Sequence, residues 1–131
     1  MIYSYMQNGV LTLVDYLNIF KALSDENRLR ILLMLRRRSL CVCEMHEVLN
    51  IALSTLSAHL KLMKNTGLIV DEKDGRWVIY SLSQNTYLHE LLETLEKQLR
   101  DNRTIESDRA IISQITRELC AYKLKESARK K

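Results

Sequence analysis

Residues 68–82, LIVDEKDGRWVIYSL, alternate apolar and polar side chains on both sides of Asp74-Gly75. An Asp-Gly pair flanked by such alternation is the strongest short-range signal for a β-hairpin. The spacing predicts strands over Leu68–Lys73 and Arg76–Leu82, with a basic tip at Lys73 and Arg76. On either side of this segment the apolar residues keep a helical period, so the hairpin must be housed among helices. The chain has no proline, and its only glycines are Gly9, Gly67 and Gly75. So few turn-formers exclude sandwiches and barrels. The expected class is mainly α with a two-stranded β-wing.

Residues 11–23, LTLVDYLNIFKAL, repeat apolar positions every three or four residues and read as a helix. SDEN interrupts it, and Ser24 or Asp25 can cap the next helix, whose first turn carries acids. That helix, NRLRILLMLRRR, ends in three arginines, where a helix C-terminus favours cations. A short third helix is expected over 43–50 and a fourth over 53–66, stopped by Gly67. Past the hairpin, Leu88, Leu91, Leu92, Leu95 and Leu99 share one face. Ile105, Ile112, Ile115, Leu119 and Tyr122 make a second stripe with spacings of 7, 3, 4 and 3.

Three compact helices followed by a hairpin is the order of a winged helix-turn-helix. The flanking stripes exceed what one small domain can cover, which predicts a homodimer. The 131 residues read as a single winged-helix domain, with a core over 12–82 and a C-terminal helical dimerisation extension over 83–127. A basic tail over 123–131 holds Lys123, Lys125, Arg129, Lys130 and Lys131, which add non-specific DNA affinity or are simply solvated.

The charge balance, 20 − 16 = +4, permits a nucleic-acid partner without demanding one. No apolar run approaches the roughly 18 residues of a membrane span. The N-terminus lacks the basic region and cleavage site of a signal peptide. Three cysteines leave one over from any disulfide, so reduced thiols in the cytoplasm are expected, with no membrane partner. No phosphate-cradling glycine loop is present, and nothing orients Cys41, Cys43 and His46 for catalysis, so the chain does not read as an enzyme.

On a helical wheel of the fourth helix, Leu53, Leu56, Leu60 and Met63 cluster as core, while Ser54, Ser57, Ala58 and Lys61 point the other way. Short side chains let a helix approach base edges, hydroxyls can donate or accept, and lysines meet phosphates. The candidate DNA-binding set is Ser54, Thr55, Ser57, Ala58, His59, Lys61 and Lys64, with Lys73 and Arg76 on the wing. Trp77 and Tyr80 are expected to pack at the wing base. His59 lies at the edge of the core, suited to a structural hydrogen bond or a phosphate contact.

The runs ALSDENRLRILLML, CVCE, STLSAHLKLMKNTGLI and DGRWVIYSL together resemble the ArsR/SmtB family of winged-helix repressors, over about Leu17 to Leu82. The resemblance implies a dimer joined through the N-terminal and post-wing helices, and a recognition helix over Leu53–Thr66 that reads palindromic double-stranded operator DNA. It further implies release of that DNA when a metal or metalloid ion binds. The family often has Ser and Gln just ahead of the Ser/Thr run. Here Ala52 and Leu53 stand there, which puts the helix cap in doubt and leaves either no base contact or an apolar one to a thymine methyl.

Cys41 and Cys43 cannot clamp one ion from a regular helix, because side chains two residues apart diverge by about 200°. At a helix N-terminus the first of them is not yet helical, so both sulfurs can turn toward one atom. The positive end of the helix dipole there is expected to lower the thiol pKa. Thiolates prefer soft, thiophilic ions. CVC at this place looks like the arsenite and antimonite sensors of the family, and also like its cadmium and lead sensors. The family's arsenite pattern is commonly C-V-C-D-L-C, and here it reads CVCEMH, with His46 in place of the third sulfur. Either Cys120 supplies that sulfur or it only packs its helix. The inducer implied is As(III) or Sb(III) on Cys41, Cys43 and Cys120. With His46 as the alternative third ligand the set suits Cd(II), Pb(II) or Zn(II). Two further readings stand: a repressor whose thiols sense oxidants, and a winged-helix module that binds a protein partner.

Overall fold

A computed structural model describes residues 11–129; Lys130 and Lys131 of the basic tail, and the first ten residues, lie outside the described residues. The order is α1 (Leu13–Leu23), α2 (Glu26–Arg37), β1 (Leu40–Cys41), α3 (Val42–Leu49), α4 (Leu53–Asn65), β2 (Ile69–Asp74), β3 (Trp77–Leu82), α5 (Thr86–Gln98), α6 (Arg103–Ile112) and α7 (Arg117–Arg129).

Local chemistry sets most of these limits. Thr12 and Asp15 form a reciprocal capping box at the start of α1. Asp25 caps α2 by accepting from the Arg28 N–H at 3.0 Å, while Ser24 closes α1. Asn50 ends α3 in the left-handed region, and Gly67, at φ 78°, turns the chain out of α4 into the hairpin. At the wing tip Gly75 alone takes positive φ, at 62°, and Asp74 pairs with Trp77. The turn is therefore Gly75-Arg76, one residue later than the alternation placed it.

The sheet corrects the sequence reading. It has three strands in the order β1-β3-β2, all antiparallel, rather than two. The added strand is only Leu40–Cys41, and it pairs Leu40 with Tyr80 and Cys41 with Ile79. Two residues carry no readable period, which is why the alternation missed it.

The core is aliphatic. Ile31, Leu32, Met45, Leu56, Met63, Leu68, Ile69, Leu88 and Leu92 are fully buried around α2 and α3. Leu53 departs from its expected place: at the first turn of α4 it is 53% exposed, beyond the edge of what α2 and α3 cover. The C-terminal stripe is also broken. Residues 113–116 bend between α6 and α7, and the bend shifts the helical phase. Ile112 and Ile115 stay buried, but Leu119 and Tyr122 face out at 41% and 61% exposure, and Cys120 turns in at 1%.

Candidate thiol site and nucleic-acid-facing surface

Cys41 stands at the junction of three elements. It ends β1, serves as the N-cap of α3 with extended backbone, and pairs with Ile79 of the wing strand. Its N–H donates to the Glu44 carboxylate at 3.0 Å, and its sulfur faces the backbone N–H groups of Glu44 and Cys43. Glu44 is buried and balanced by Arg38 at 2.8 Å. The same Arg38 donates to the carbonyls of Ile112 and Ile115, each at 3.0 Å, and so holds the bend between α6 and α7.

The bend lays α7 along α3, which brings Cys120 onto Cys43 within the same chain. The two thiols lie near enough to influence each other's ionisation, Cys120 easing that of Cys43 while Cys43 opposes that of Cys120. The expected lowering of the thiol pKa is not found. Burial pushes all three thiols up, Cys120 to about 12. The amides of α3 do pull Cys41 down, but desolvation outweighs them. All three cysteines are free thiols.

The donors suit a thiophilic ion only in part as they stand. Cys43 lies near enough to Cys120 and to Cys41 for their charges to interact. Among the described residues no three His, Cys, Asp or Glu side chains are gathered into a group that would hold a metal ion. That holds for the three cysteines and for the set with His46 alike; His46 lies half-buried in α3, where its carbonyl accepts the Asn50 N–H. Sequence reasoning missed Glu44 and Arg38, which fix the frame of the CxC segment.

On the outer surface, Ser54, Thr55, Ser57, Ala58, Lys61 and Lys64 of α4 are all exposed. Ala52 gives no side-chain cap, in line with its methyl group. Lys64 bonds Asp71 of the wing at 2.9 Å. His59 is held from both ring nitrogens: Arg28 lies 3.2 Å from Nδ1, and the Asp25 carboxylate 3.7 Å from Nε2. That geometry ties α4 to the cap of α2 and favours the structural role. Lys73 and Arg76 are exposed at the tip, and Arg76 stacks over Trp77 at 5.0 Å. Trp77 thus belongs to the tip rather than the wing base. Arg117 of α7 covers the same ring at 5.6 Å and bonds Asp74 at 2.8 Å. No described helix is long and apolar enough to cross a membrane.

Known proteins are similar to this chain in sequence and in fold. Residues 25–70 match the family "Bacterial regulatory protein, arsR family". The chain is 37% identical over 79 residues to the arsenic resistance transcriptional regulator ArsR2 of Pseudomonas putida, a match spanning 58% of this chain and 69% of that one. It is 37% identical over 81 residues to a CadC homolog of Staphylococcus aureus, a cadmium resistance regulatory protein, covering 61% of this chain and 66% of that one. Among solved structures it is similar to HlyU from Vibrio cholerae, with a TM-score of 0.62 and 33% identity over 65% of this chain and 91% of that chain. The helices, the wing and these matches agree: the chain belongs to the ArsR family of DNA-binding transcriptional regulators.

Proposed function

We propose that this protein is a metalloid-responsive repressor that binds palindromic operator DNA as a homodimer and releases it when As(III) or Sb(III) binds Cys41, Cys43 and Cys120. The observation that carries the reading is the packing of α7 along α3, which buries Cys120 near Cys43 within one chain, with Cys41 two residues away at the same helix start. Trivalent arsenic takes three sulfurs, and this chain has three. Cys41 is joined to the wing through its pairing with Ile79, so drawing its sulfur onto an ion bears on β3 as well as on α3. A coupling of about 1–3 kcal/mol, typical of allostery, weakens DNA binding by roughly 5- to 150-fold. The relatives include both arsenic and cadmium resistance regulators, which keeps Cd(II), Pb(II) and Zn(II) as alternative inducers.

The exposed hydroxyl and lysine face of α4 supports reading of a major groove, and the tip residues Lys73 and Arg76 support contacts to phosphates or the minor groove. Leu13, Val14, Leu17 and Phe20 leave an uncovered apolar face on α1, which supports a dimer. The domain is read as one winged-helix unit with residues 83–127 as its extension, in a soluble, cytoplasmic regulator.

The test is fluorescence anisotropy of the reduced protein on labelled DNA from its own upstream region, titrated with arsenite at fixed salt. Arsenite-driven release, lost in Cys120→Ser, is the expected result. Tight DNA binding that ignores arsenite in favour of Cd(II) or Zn(II) moves the inducer. A second reading, reversible oxidation, draws on the same Cys43–Cys120 contact. Release by oxidant alone, reversed by a thiol reductant, would select it.

A further inference from the structure

One face of α7 packs against the rest of the chain at positions three residues apart. Arg117 bonds Asp74 at the wing tip at 2.8 Å, Lys123 bonds Glu47 of α3 at 2.9 Å, and between them Cys120 is buried on the side that packs against α3, near Cys43. Residues three apart on a helix lie on one side, about a turn from each other. Cys43 and Glu47 are likewise a turn apart on α3, so the two helices lie side by side with the thiol pair between two ion pairs. Arg117 also stacks over Trp77, with Arg76 over the same ring at 5.0 Å and Arg117 at 5.6 Å. The tip that bears the candidate DNA contacts Lys73 and Arg76 is therefore held from behind by α7.

We propose that α7 is a strap through which events at the Cys43–Cys120 pair reach the wing, with Arg117 as the residue that positions the wing tip. The proposal rests on the reading of that pair as part of the sensing site. Arg117 lies one turn from Cys120, so a pull on the sulfur that shifts α7 moves the guanidinium with it. Asp74 and Trp77 then follow or lose their partner, and Arg76 is re-aimed. The Arg117–Asp74 pair is part-exposed and adds little to stability. Its role is to transmit a displacement, which separates it from a merely structural bridge.

The test uses phenylarsine oxide, which bridges two neighbouring thiols whatever ion the protein answers to. Two As–S bonds form, the As=O bond is lost, and the oxygen leaves with both thiol protons as one water; arsenic stays trivalent. The chain has one tryptophan, Trp77, so its emission reports on the strap directly. In a Cys41→Ser background, capture of Cys43 and Cys120 is expected to shift that emission and to weaken DNA binding at least fivefold. In R117Q the same two thiols are still captured, but the emission shift falls to under a third and DNA weakening to under twofold. Asp74→Asn, which breaks the bridge from the other side, is expected to match it. A silent Trp77 on capture, an undiminished response in both variants, or failure of the two thiols to be bridged would each overturn the strap. Arsenite that leaves DNA affinity untouched while these results hold would instead overturn the metalloid reading alone.

Discussion

Arg30 grips Asp108 with two hydrogen bonds, Nε to Oδ2 and Nη2 to Oδ1, each 2.8 Å long, although 78 residues separate them. The side chains are 16% and 5% exposed, so this pair pins α6 to α2 away from water. Breaking a buried pair from one side leaves an uncompensated charge. Asp108→Ala is expected to lower stability by about 3 kcal/mol. Urea melts followed by circular dichroism should show an earlier midpoint; an unchanged midpoint would mean that the C-terminal helices melt independently of the core.

The thiols set a pH dependence at the alkaline end. Cys120 is raised from 9.0 to about 12 by burial, and Cys41 and Cys43 are raised in the same direction. A group whose folded pKa lies above its unfolded value contributes stability below the unfolded value and loses it as pH rises through the folded one. Stability is therefore expected to fall between about pH 9 and 12, and Cys120→Ala should flatten that slope in melts taken across the range. Alkylation at neutral pH should be slow, and Cys43 should react before Cys120.

Ala52 leaves the first turn of α4 without a side-chain cap, in extended backbone at φ −57° and ψ 140°. Serine there is expected to stabilise the protein by about 1 kcal/mol through a bond to an orphan N–H of the turn. A thermal melt that does not move would show that the end is already satisfied by water.

Leu53, exposed on the same turn, is placed for an apolar contact to a thymine methyl if α4 reads the major groove. Replacing operator thymines one at a time with deoxyuridine removes only that methyl. One position is expected to cost wild type about fourfold in affinity, the worth of a methyl-sized group at about 0.8 kcal/mol. Leu53→Ala should be insensitive at that position. Equal losses in both proteins would take Leu53 out of base reading.

Much of this was legible in the sequence because each signal is local. Asp25 and Gly67 announce helix ends, Asp74-Gly75 announces the hairpin, and the period of α2 and α4 marks their buried faces. The misses share a different cause. Leu53 fits the core angle on a wheel, but it sits where its helix projects past its neighbours. Leu119 and Tyr122 are placed by carrying one period through 105–122, and the bend at 113–116 resets the phase and turns Cys120 inward instead. The thiol acidity was judged from the helix end alone, whereas burial, set by α7 folding back, dominates. Long-range packing decided each of these.

That bend also makes chain length count for more than side-chain identity. Each residue of a helix turns the next by about 100°. Deleting one residue from 113–116, or inserting one, would swing Arg117, Cys120 and Lys123 away from Asp74, Cys43 and Glu47 together. Substitutions at the exposed Ser113 or Gln114 leave that angle alone. Drift among relatives of this protein should thus change Ser113 and Gln114 freely, while a single codon gained or lost in the bend disconnects the thiols from one another in one step.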